Sequence, residues 1–108
     1  MNRTILLTPL IALAFPAFAQ DAANGQRLFM KNGCYECHGT VGQGGTGPRL
    51  APKPLAAPAL TAYVRKPAGG MPPYSAKVMS DAEVSDIRAY LATIPEPPAA
   101  KSIALLNQ

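Results

Sequence analysis

Two thiols and an imidazole lie within five consecutive residues, Cys34-Tyr35-Glu36-Cys37-His38. They are the chain's two cysteines and its one histidine. This spacing is the attachment signature of a c-type haem. Two thiols separated by two residues reach the two vinyl groups of one porphyrin and add to them as thioethers. The adjacent histidine then lies beneath the iron, with a ring nitrogen to bind it. Other uses of the same residues fit less well. A dithiol–disulfide centre of thioredoxin type needs a βαβ scaffold, and no stretch alternates apolar and polar residues for long enough to make a sheet. A zinc site would crowd three ligands into one turn and still need a carboxylate. A disulfide between Cys34 and Cys37 closes too short a loop to stabilise much. The same count leaves too few ligands for an iron–sulfur cluster or a Cys2His2 finger.

The elements around this site read as helices and loops. Asp21 caps a helix from Ala22 to about Asn32, with Gly25, Leu28 and Phe29 on its inner side and Gly33 as its stop. Gly25 costs that helix about 1 kcal/mol against alanine, which marks it as a point where another helix crosses closely. From Gly39 to Pro58 the density of glycine and proline excludes a helix or a central strand. A long loop directly after the two cysteines is one that wraps something. Pro58 to Arg65 makes a short helix with Leu60, Tyr63 and Val64 inward, and Gly69-Gly70-Met71-Pro72-Pro73 breaks the chain again. Ser80 and Glu83 then form a capping box, and Val84, Ile87, Tyr90, Leu91 and Ile94 give one apolar stripe that ends at Pro95.

The two ends are set apart. Met1-Asn2-Arg3, an apolar run from Ile5 to Phe15 and the small-x-small Ala17-Phe18-Ala19 predict a leader over residues 1–19, cleaved before Gln20. That run is shorter than the ~20 residues a spanning helix needs, so no lasting membrane insertion is expected. Residues 20–95 form the domain, and residues 96–108, opening with Pro97-Pro98, form a tail. The 89 residues from Gln20 bury too small a core to stand alone, and a covalent haem would supply what is missing. The formal charge of the whole chain is +4, and loss of Arg3 with the leader lowers it by one. Basic residues are scattered, without interleaved aromatics, so nucleic acid is not an expected partner. The charge fits either a mildly positive face toward an acidic protein partner or an ordinary solvated surface.

The second axial ligand must come from elsewhere. Met30 is too close in sequence to the attachment site to cross to the other haem face, and Met79 is explained as a hydrophobic staple toward Val84. Met71 lies in a loop of its own, with glycines that permit close approach before it and prolines that stiffen the exit after it. Met79, a water, a lysine or an open position are the alternatives.

Over about Ala22 to Ile94 the chain resembles the small bacterial monohaem class I cytochromes c. The resemblance is carried by Gly25 to Phe29, Cys34 to Gly39, Gly47-Pro48-Arg49-Leu50, Met71-Pro72-Pro73-Tyr74 and the last helix with Tyr90. It implies an all-α fold of three to four short helices and long loops around one covalent haem c. It makes Cys34 and Cys37 the thioether attachments, His38 the proximal ligand, Met71 the distal ligand and Pro48 the carbonyl that accepts from the other nitrogen of His38. Gly25, Phe29 and Tyr90 become the crossing of the first and last helices. With both axial positions filled, the chemistry left is outer-sphere electron transfer, so a monomeric periplasmic carrier between redox proteins is expected rather than an enzyme. A haem enzyme or gas sensor with a labile sixth ligand is the alternative.

Overall fold

The computed structural model describes residues 20–108, so the expected leader over residues 1–19 lies outside it. Four α-helices follow in order: α1 (Ala22–Lys31), α2 (Cys34–His38), α3 (Ala57–Arg65) and α4 (Asp81–Thr93). Two 3-10 turns, Ala100–Ser102 and Ala104–Leu106, close the chain, and no strand occurs among the described residues.

Each helix starts and stops for a local reason. The Asp21 carboxylate accepts from the Asn24 backbone N–H at 2.9 Å and so caps α1. The chain turns at Gly33, whose φ of 76° lies in the left-handed region, and enters α2 at once. That single turn was not expected from periodicity, because five residues are too few to show one. Pro58 sits in the first turn of α3, where its missing N–H costs nothing. At α4 the capping box is complete: Ser80 Oγ accepts from Glu83 N at 3.2 Å, and Glu83 Oε2 accepts from Ser80 N at 2.8 Å. Ile94 is already extended, as a residue before proline must be.

The core lies where α1 crosses α4. Phe29 is fully buried and meets the Tyr90 ring at 5.7 Å between centroids, tilted by 58°. Leu28, Val84, Ile87 and Leu91 join the same cluster, and α3 adds Leu60 and Val64 from the side. Polar bonds pin the crossing at its edge, where Asp86 on α4 accepts from Asp21 N at 2.8 Å and from Asn24 Nδ2 at 2.9 Å.

One expected core residue faces outward. Tyr63 was placed inside with Leu60 and Val64, yet it is 41% exposed. The helix α3 packs on α4 alone, and a helix with one neighbour covers only a narrow stripe, here the i, i+4 pair Leu60 and Val64. Residues 96–108 are mostly exposed, and a Lys53–Glu96 ion pair of 3.1 Å ties the start of the segment to the long loop. No described helix is long and apolar enough to cross a membrane.

Candidate haem site

The sharp turn at Gly33 brings α2 off the end of α1 and sets Cys34 against the core. Cys34 and Cys37, three apart on one helical turn, share a face. Cys34 is half-buried against the core, Cys37 is exposed, and neither is paired in a disulfide. Burial pushes the Cys34 thiol above its ordinary value.

His38 ends α2 and is buried. Its Nδ1 lies 2.7 Å from the carbonyl oxygen of Pro48. A carbonyl oxygen only accepts, so in this bond Nδ1 carries the proton and Nε2 keeps its lone pair. Among the described residues Nε2 makes no hydrogen bond. A ring oriented through one nitrogen with the other left as a donor pair is prepared for a metal.

The glycine-rich loop after α2 folds back over this turn. Gly44 N donates to His38 O at 2.7 Å, and Gly47 N donates to Cys37 O at 2.9 Å. Gly47 has to be glycine for reasons of space: a methyl group there would lie 2.9 Å from His38 Cε1 and 3.0 Å from Nδ1. The Tyr90 hydroxyl donates to Thr40 O at 2.9 Å and so joins α4 to the same loop. Leu50 packs against the core, next in sequence to the buried Ala51.

The three methionines of residues 20–108 differ in their surroundings. Met30 is on the outer side of α1, 39% exposed. Met79, 2% exposed, belongs to the same buried cluster as Val84. Met71 is half-buried and packs against the edge of that cluster, alongside Cys34, Tyr35 and Tyr74.

Sequence reasoning gave no bonding role to Asn32, Arg65 or Tyr74. The Tyr74 hydroxyl donates to Asn32 O at 2.7 Å, its N–H donates to Val64 O at 2.8 Å, and its carbonyl accepts from Arg65 Nη1 at 3.0 Å. Asn and Arg at helix ends were visible signals, but their partner is 9 to 42 residues away.

The donor set suits haem and little else. Two unpaired thiols and a buried imidazole whose Nε2 makes no hydrogen bond fit the covalent attachment and one ligand of a c-type haem. Among the described residues no group of three or more histidine, cysteine, aspartate or glutamate side chains is placed to hold a metal ion.

Comparison with known proteins agrees. Residues 20–91 match the family described as cytochrome C oxidase, cbb3-type, subunit III. The chain is similar to a cytochrome c6 from a Picosynechococcus species, 33% identical over 107 residues, covering 82% of this chain and 86% of the relative. No solved structure matches. With the all-helical architecture, these matches show that the chain belongs to the small class I cytochromes c, haem-bearing electron-transfer proteins and not enzymes.

Proposed function

We propose that the protein is a soluble, monomeric, periplasmic one-electron carrier with one haem c, attached through Cys34 and Cys37 and ligated by His38 and Met71. It would take electrons from a membrane complex or dehydrogenase and pass them to an oxidase or reductase. The observation that carries the reading is the 2.7 Å bond from His38 Nδ1 to Pro48 O, which leaves Nε2 as a donor.

When bound, the haem supplies a reversible one-electron centre whose ferrous state is favoured by a soft thioether ligand. The chain's own part is to hold its ligands still. Pro48 fixes the His38 ring through its carbonyl, and Gly47 leaves room for that ring. Met71 is favoured over Met79 because Met79 is already committed to the buried core under α4, whereas Met71 stands half-buried in a loop. Export rests on the leader over residues 1–19, with cleavage after Ala19.

The test is the mass and spectrum of the protein purified from a periplasm that attaches haem. The expected mass is that of the chain from Gln20 plus one haem, not extractable by acidic organic solvent. The ferric protein should show a methionine-to-iron charge-transfer band and should not bind carbon monoxide when reduced. Extractable haem would overturn covalent attachment. Ready binding of carbon monoxide would replace the carrier by a gas-binding or catalytic protein.

A further inference from the structure

The segment that carries Met71 is almost free of polar anchors. Residues 67–73 make a turn at Gly69-Gly70 but no hydrogen bond to any other described segment. The first anchored residue after Met71 is Tyr74, and there all three polar groups are engaged at once. Its N–H is bonded to Val64 O (2.8 Å), its carbonyl to Arg65 Nη1 (3.0 Å) and its hydroxyl to Asn32 O (2.7 Å). Arg65 also reaches Asp81 at the start of α4, with Nη2 at 2.6 Å from Oδ1.

Two prolines separate Met71 from this clamp. Each has a fixed φ, so Pro72 and Pro73 act as a short stiff lever rather than a flexible tether. On the other side, Gly69 has a φ of 66° and a side chain added at Gly69 or Gly70 would meet nothing, so no packing from the rest of the chain restrains this glycine turn. Asn32, which receives the hydroxyl, immediately precedes Gly33 and the attachment turn. The two segments that would grip the haem from opposite axial sides are thus tied to each other through one phenol.

We infer that Tyr74, held by Arg65, is the positioning residue that keeps Met71 in reach of the iron, and so sets how readily the sixth ligand is displaced. The inference rests on the reading that Met71 is that ligand. Tyr74 touches neither the iron nor an electron partner in this role and acts through Met71 alone.

Imidazole binding to the ferric holoprotein reads ligand displacement directly. A purely structural tyrosine would change unfolding without changing this affinity. Tyr74→Phe removes one hydrogen bond while keeping the ring, and Arg65→Gln, with its shorter arm, withdraws the donor from the Tyr74 carbonyl. Each should raise imidazole affinity by roughly fivefold, the scale of one lost hydrogen bond, and lower the reduction potential. Asp81→Asn, which weakens only the outer ion pair, should leave the affinity unchanged. Unchanged affinity in both Tyr74→Phe and Arg65→Gln would overturn the inference, as would an equal rise in Asp81→Asn. Met71→Ala in the same assay separates the two levels. If it retains the charge-transfer band, the ligand reading itself has failed. If it loses the band while the clamp variants behave as wild type, only the role of Tyr74 falls.

Discussion

Gly25 on α1 and Asp86 on α4 meet backbone to backbone: a methyl group placed on Gly25 would overlap the Asp86 carbonyl. Gly25→Ala sets two effects against each other. Alanine gains up to about 1 kcal/mol of helix propensity, but overpacking at a backbone contact costs about 1–3 kcal/mol or more. The contact wins, because the atom in the way is the Asp86 backbone carbonyl and not the end of a flexible side chain. The expected result is a lower denaturant midpoint with loss of about 1–2 kcal/mol. A midpoint at or above wild type would mean the helices slide freely.

Met71 and Met79 should respond differently to replacement. Met71→Ala is expected to abolish the methionine charge-transfer band, lower the reduction potential and open the iron to imidazole. Met79→Leu should keep the spectrum and lose roughly 1 kcal/mol or less, as a volume-conserving change in a full core does. The reverse pattern would place the ligand at residue 79.

How much of this was legible in the sequence depends on distance along the chain. The cap at Asp21, the box at Ser80 and Glu83 and the apolar stripe of α4 are local patterns, and they stand in the structure where they were expected. The buried face of Gly25, Leu28 and Phe29 was readable for the same reason. Tyr63 was misplaced because helical spacing gives a stripe but not how many neighbours will cover it. At the site, residue types announced Cys34, Cys37 and His38, while the bonds made by Tyr74 stayed hidden. Each ends on a backbone carbonyl up to 42 residues away, and a backbone carbonyl carries no residue signature.

Gly47→Ala should disturb the proximal side alone. The added methyl would press on His38 at 2.9 Å from Cε1, and the ring must tilt or lose its bond to Pro48. The expected readout is a shifted ferric spectrum and a changed potential, with a stability loss of about 1–3 kcal/mol. An unaltered spectrum would show that the loop, not the ring, gives way.

Alkaline conditions should weaken the fold through Tyr74. Burial, followed by the charges of Cys34, Glu36 and Cys37, pushes its phenol above the ordinary 10.0. Thioether formation removes the two sulfur charges and leaves burial and Glu36. A raised value favours the neutral phenol in the folded state, so this contribution is whole below pH 10.0 and is lost as pH climbs through the raised value. The denaturation midpoint of the holoprotein should therefore fall more steeply above pH 10.0 than that of Tyr74→Phe. Parallel slopes would remove Tyr74 as the cause.

Association with an acidic redox partner should slow as salt rises. Exposed charges are screened over ~8–10 Å near physiological ionic strength, and the basic residues outnumber the acidic ones. A stopped-flow rate that does not change with salt would exclude charge steering.

The bond from Tyr90 to Thr40 spans 50 residues, and the bond from Asp86 to Asp21 spans 65. Neither closure exists until α4 has docked. Closing loops of 50 and 65 residues costs conformational entropy that the packing of α4 must repay. Until α4 docks, both thiols lie on an open strip of chain within reach of whatever delivers the haem.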